Sequence, residues 1–106
     1  MICLTVYKKS GQYQGFECVG HAGYAEDGYD IICAAVSALT VNAANSIETF
    51  TRDPITCTSG DGLVKVSLTE RVSEKTKLLL DSMIFGLQNI QKSYGNEYLE
   101  IVFKEV

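Results

Sequence analysis

The sequence predicts an α+β fold of two layers, a plait-like (ferredoxin-like) variant in which a mixed sheet carries two helices on one face. Three observations carry this reading. Segments that alternate at a period of two and segments that repeat at three and four succeed one another in the order ββαββαβ. Each helical segment is strongly apolar on one side, which places both helices together on the same face of the sheet. The order also contains the βαββαβ of a plait, with one extra strand in front. That strand must pair with its hairpin partner and competes for the edge that a plain plait gives to the final strand, so the strand order stays open.

The elements follow in sequence. Ile2 to Lys8 and Tyr13 to Gly20 alternate and meet at Lys9-Ser10-Gly11-Gln12, a hairpin. Gly20 to Asp30 holds Gly20, Gly23 and Gly28 with the acids Glu26 and Asp27, a composition suited to a loop rather than a regular element. Asp30 is a good N-cap, and behind it Ile32, Val36, Leu39, Ala43, Ile47 and Phe50 mark the inner face of a first helix running to about Phe50. After Pro54, Ile55 to Thr58, the turn Ser59-Gly60-Asp61-Gly62 and Leu63 to Leu68 make a second hairpin. Ser73 caps a second helix whose apolar face is Thr76, Leu79, Met83, Leu87, Ile90 and Tyr94, with Gly95 as its C′ residue. Tyr98 to Lys104 alternates as the last strand.

With 106 residues, 46% of them hydrophobic, and one Pro, the chain is expected to form a single domain over residues 1–106. A formal charge of −4 argues against a nucleic-acid partner, since such domains usually carry a basic face. The N-terminal segment has neither the basic start nor the small-residue cleavage site of a signal peptide. The uncharged run from Ile31 to Ile47 carries Ser, Thr and Asn, and reads as a buried or dimer-forming helix rather than a membrane span. Cysteines at 3, 18, 33 and 57 show no C-x-x-C spacing, and free thiols in a reducing, cytoplasmic setting are expected.

The chemistry concentrates in Gly20-His21-Ala22 and Asp30-Ile31-Ile32-Cys33-Ala34-Ala35-Val36-Ser37. With Asp30 as N-cap, Cys33 falls in the first helical turn, where the amides and the helix dipole favour an anion by about 0.3 to 1 kcal/mol. The charge of Asp30 opposes that effect, so a cationic partner is needed, and His21 is the only imidazole in the chain. A strand end and the start of the following helix lie at the same end of a sheet. A thiolate beside an imidazole is the nucleophile of a cysteine hydrolase. The residues alone equally allow a bland reading, in which Cys33 packs as a small apolar residue and His21 merely ends a strand. Ser37, one turn after Cys33, either orients a reacting group or packs the helix. Cys3, Cys18 and Cys57 sit in strand patterns and are poor nucleophile candidates. A zinc site from Cys18, His21 and Cys33 lacks a fourth ligand and the usual close pairs, so no metal or cofactor is expected.

These two motifs, with the Gly-rich acidic loop between them and the element order around them, resemble the ribosomal-processing cysteine protease family Prp over the whole chain. The resemblance implies a Cys33 nucleophile and a His21 base, with Asp30 and Ser37 as the other polar residues of the motif. It also implies a cytoplasmic homodimer that removes a Leu- and Phe-rich N-terminal extension from large-subunit ribosomal protein number twenty-seven. The acids Glu26, Asp27 and Asp30 give the mouth a negative field suited to a basic ribosomal protein.

As a mechanism, amides at the start of the first helix are the expected oxyanion donors. The loop from His21 to Tyr29 is expected to close over an extended peptide, with Tyr24 and Tyr29 as covering aromatics and Gly20 as a supporting residue, so that the dyad assembles only when substrate is bound. The rival reading is a noncatalytic plait module, associated with the ribosome, that binds a ligand or protein while Cys33 is structural.

Overall fold

The computed structural model describes residues 1–26, 30–69 and 71–106. Its elements are β1 (Ile2–Lys9), β2 (Gln12–Val19), α1 (Ile31–Phe50), β3 (Ile55–Gly60), β4 (Leu63–Leu68), α2 (Glu74–Tyr94) and β5 (Leu99–Glu105). Both hairpins close more tightly than the sequence suggests. Ser10 and Gly11 both take positive φ, 52° and 78°, the two-residue turn whose twist matches that of its strands, so β1 extends to Lys9 and β2 begins at Gln12. The second turn shrinks in the same way to Asp61-Gly62, and β3 continues through Ser59 and Gly60.

The five strands form one sheet in the order β3-β4-β2-β1-β5. The extra strand settles the contest left open above. β1 lies between β2 and β5, pairing antiparallel with the first and parallel with the second, so it takes the place beside β2 that a plain plait gives to its last strand. A bulge opposite Tyr7 and Lys8 leaves Gln14 unpaired between Tyr13 and Gly15. Gly15 there has φ 151°, and a Cβ on it would lie 2.2 Å from the Val66 carbonyl oxygen of the neighbouring strand.

Both helices cover one face of the sheet. The alternate residues Ile2, Leu4, Val6, Phe16, Cys18 and Val66 meet Ile32, Val36 and Ile47 of α1 and Leu80, Met83 and Leu87 of α2 in a single core. The helices touch closely where Leu39 packs over Gly86, a Cβ at which would lie 2.9 Å from Leu39 Cδ1. Two parts of the expected apolar faces differ. Phe50 is 66% exposed at the last position of α1, and on α2 Leu80 and Ile84 are buried while Leu79 and Ile90 are only half-buried and Tyr94 is exposed. A periodic stripe fixes a direction on a helix, but it stays apolar beyond the point where the sheet ends beneath it.

Each helix start is held by a carboxylate. Asp30 caps α1 through Oδ1, which accepts the amides of Ile32 and Cys33, both at 3.0 Å. Ser73 caps α2, and Asp53 in turn accepts the Ser73 amide at 2.9 Å, the Ser73 hydroxyl at 2.7 Å and the hydroxyl of the fully buried Thr76. α1 is long and apolar enough to cross a bilayer by composition, yet it packs on the sheet and on α2, as the core helix of a folded domain does.

Candidate active site

β2, α1 and the β3–β4 turn converge at one end of the sheet around a cleft of about 540 Å³. Its floor is Ile2, Cys18 and Val64, one wall is Cys33, Ser37 and Thr40 on α1, and the other is the turn Gly60-Asp61-Gly62 with Leu63. Gly20 and His21 close the end, beside Asp30. The structure thus brings together five of the residues singled out from the sequence: Gly20, His21, Asp30, Cys33 and Ser37.

Cys33 is the third residue of α1 and is half-buried. The amide of Ala22, the residue after His21, donates to its Sγ at 3.2 Å. That bond ties the histidine-bearing segment to the first turn of α1. Among the described residues no hydrogen bond joins His21 to Cys33; the two share the cleft with the imidazole 56% exposed. His21 Nε2 instead faces Asp61 Oδ1 at 3.7 Å.

Asp30 does more than cap. Its Oδ2 accepts the amide of Tyr24 at 3.0 Å, so one carboxylate fastens the start of α1 and the segment that follows His21. Burial pushes this carboxyl up, but the amides of Cys33, Tyr24 and Ala25 outweigh it and hold it below the ordinary carboxylate range. The same bonds narrow the choice of oxyanion donors. The amides of Ile32 and Cys33 are committed to Asp30 Oδ1 and that of Ala34 to the Asp30 carbonyl at 3.1 Å, so these first-turn donors of α1 are already engaged.

The remaining candidates separate. Tyr24 does not line the cleft; it packs edge-on against Tyr98 and Tyr94, with ring centroids 5.2 and 5.7 Å away, which pins the loop to the start of β5 and the end of α2. Tyr29 lies outside the described residues, as do Asp27 and Gly28, and with them the part of the 21–29 loop expected to close over a peptide. All four cysteines are free. Burial pushes the Cys18 thiol up to about 11, and neighbouring Cys3 and Cys33 add to the effect, so Cys18 stays protonated at neutral pH despite lining the cleft. Among the described residues no three His, Cys, Asp or Glu side chains are grouped to hold a metal ion. Sequence reasoning missed Asp61 and Gly62, which it read only as a turn, and the Ala22 amide, which no side-chain pattern signals.

Comparison with known proteins points the same way. The family profile of cysteine protease Prp matches residues 1–99. The ribosomal processing cysteine protease Prp of Bacillus subtilis is 33% identical over 85 residues, 74% of this chain and 76% of that protein. The protein of the same name from Staphylococcus aureus is 31% identical over 87 residues, 80% of this chain and 81% of its own. Among solved structures, an essential ribosomal processing protease Prp from S. aureus in complex with a covalently linked product peptide superposes with TM-score 0.91 at 27% identity, covering 98% of this chain and all of the other. A complex of the S. aureus protease with a substrate peptide gives TM-score 0.86 at 26% identity over the same shares. A noncatalytic binding module is thereby set aside: the chain belongs to the cysteine protease Prp family and is a cysteine-type peptidase.

Proposed function

We propose that this peptidase removes the N-terminal extension of large-subunit ribosomal protein number twenty-seven, with Cys33 as nucleophile and His21 as general base and acid. The observation that supports the assignment is the Ala22 N–H···Sγ bond, which couples Cys33 to the histidine segment beside the cleft. Cys18, the other thiol lining the cleft, is held protonated by burial. The ribosomal substrate is supported by the names of the Bacillus and Staphylococcus relatives, and a peptide substrate by the Staphylococcus complexes.

The chemistry follows from these positions. His21 takes the Cys33 proton, and Sγ adds to the scissile carbonyl carbon. The Ala22 amide, already aimed at the sulfur, is a backbone donor for the negative charge as it moves onto the carbonyl oxygen. The C–N bond breaks with the imidazolium proton passing to the leaving amine, which leaves a thioester on Cys33. Water, losing a proton to His21, then adds to the thioester carbon; the C–S bond breaks, the acid product leaves, and the imidazolium returns its proton to Sγ. Ile2, Leu63 and Val64 offer apolar contact for Leu and Phe side chains, and the carboxylates of Asp30 and Asp61 at the rim suit a basic ribosomal protein. The exposed side of α1, from Ala34 through Ala38, Val41, Asn42 and Asn45, has no charged side chain before Glu48, which supports a homodimer built on this helix; the expected compartment is the cytoplasm.

The test is cleavage of the full-length ribosomal protein. Cys33→Ala is expected to bind it and leave it intact, with circular dichroism unchanged, because the change removes only a half-buried sulfur. His21→Ala is expected to lose turnover as well. Peptidase activity persisting in either purified variant would overturn the dyad, and an intact extension after incubation with active wild type would overturn the substrate.

A further inference from the structure

We propose that the β3–β4 turn is the positioning element of the catalytic histidine: Asp61 selects the imidazole tautomer and Gly62 makes room for the ring. The proposal rests on the Cys33/His21 reading above and extends it to a part of the chain forty residues away.

His21 follows the end of a strand and is largely exposed, so its own segment does little to fix its ring. The opposite hairpin supplies the constraint. The Gly20 amide donates to the Gly62 carbonyl at 2.9 Å, locking the backbone next to His21 onto the turn. The ring then lies against Gly62 itself. A Cβ at that position would stand 2.9 Å from Nε2 and 3.4 Å from both Cδ2 and Cε1. With φ at 67°, Gly62 is also in the left-handed region that glycine takes without strain. Conformation and contact therefore both call for glycine here.

The three ring atoms nearest a Cβ at Gly62 are Nε2 and the two carbons bonded to it, so Nδ1 is the ring nitrogen farther from Gly62. A neutral imidazole has one N–H and one lone pair, and a carboxylate accepts only. Asp61 Oδ1, 3.7 Å from Nε2, favours the tautomer with its hydrogen on Nε2 and leaves the Nδ1 lone pair to take the thiol proton. When the proton arrives, the same carboxylate faces an imidazolium. The separation is longer than a hydrogen bond and Asp61 is 97% exposed, so the bias is electrostatic and modest, and salt weakens it.

His21 is the only histidine in the chain, so nitrogen-15 labelling of histidine reports this one ring without assignment. Wild type is expected to show Nε2–H as the major tautomer. Asp61→Ala is expected to erode that preference and lower kcat about two- to fivefold with KM nearly unchanged, the size of an exposed charge pair, and Asp61→Glu to restore both. Gly62→Ala is expected to displace the ring and lower kcat about ten- to hundredfold while iodoacetamide still labels Cys33. A wild-type ring protonated mainly on Nδ1, or an Asp61→Ala enzyme with wild-type kcat beside an inactive His21→Ala, overturns the proposal and leaves the dyad standing. A raised KM with unchanged kcat makes Asp61 a substrate contact and likewise overturns it. Activity retained in His21→Ala overturns the dyad and this role for the turn together.

Discussion

Asp30 joins two tasks that substitution can separate. Oδ1 accepts the amides of Ile32 and Cys33, and Oδ2 accepts the amide of Tyr24, each at 3.0 Å. Asp30→Ala removes both. Loss of an N-cap costs about 1 kcal/mol, which for a domain of this size lowers Tm by about 4 °C. Loss of the Tyr24 amide bond leaves the segment that holds the Ala22 amide on Sγ of Cys33 anchored only by the Tyr24 ring against Tyr94 and Tyr98, and so loosens it. A backbone hydrogen bond to the reacting atom is worth about 0.5 to 1.5 kcal/mol, so kcat falls roughly two- to tenfold. Asp30→Asn keeps an oxygen for the cap but turns an NH₂ toward the Tyr24 amide, and Asp30→Ser caps with a single oxygen. Both are expected to melt within about 2 °C of wild type and yet to keep the kinetic defect of Asp30→Ala. The assay is thermal melting by circular dichroism at one protein concentration, beside turnover of a peptide spanning the processing site. Asp30→Asn with wild-type turnover would refute the double role, as would Asp30→Ala melting at the wild-type temperature.

Three further predictions concern the frame. Asp53→Ala leaves the hydroxyl of fully buried Thr76 with only the longer bond to the Thr51 hydroxyl, at 3.4 Å, and is expected to cost about 1 to 3 kcal/mol at pH 7 by urea unfolding. The hydroxyl of Thr76, then the amide of Ser73, holds the Asp53 carboxyl below its ordinary value, so the unfolded state binds more protons; the stabilisation is present above the ordinary carboxyl range and is lost as pH falls through the lower folded value. The gap between wild type and Asp53→Ala should therefore close below about pH 4, and a constant gap down to pH 2 contradicts it. Gly15→Ala drives a methyl into the Val66 carbonyl at the bulge and is expected to cost about 2 kcal/mol or more; an unchanged urea midpoint would count against the bulge geometry. Cys3→Ser, Cys18→Ala and Cys57→Ser are each expected to leave peptide turnover near wild type, whereas loss of turnover in a folded Cys18→Ala enzyme would give the cleft a second essential thiol.

The local features were legible in residue type. Hairpins, helix limits and the capping roles of Asp30 and Ser73 depend on neighbours within a turn or two, and residue type expresses them directly: left-handed φ at Gly11, a carboxylate before Ile31-Ile32-Cys33, periodic apolar positions along each helix. The placing of His21 and Cys33 in one cleft at one end of the sheet was legible for the same reason, since a strand end and the next helix start are joined by one loop. Tertiary structure decided the rest. β1 entered between β2 and β5 because strand order depends on which edges meet, and burial rewards any partner that covers an apolar face. Tyr24 went to Tyr94 and Tyr98, seventy residues along the chain, rather than to the cleft. Asp61 and Gly62 looked like nothing more than a turn. They became the seat of the imidazole only because β4 pairs with β2, which carries that turn across the sheet to His21, a placement that no periodicity or spacing within either segment encodes.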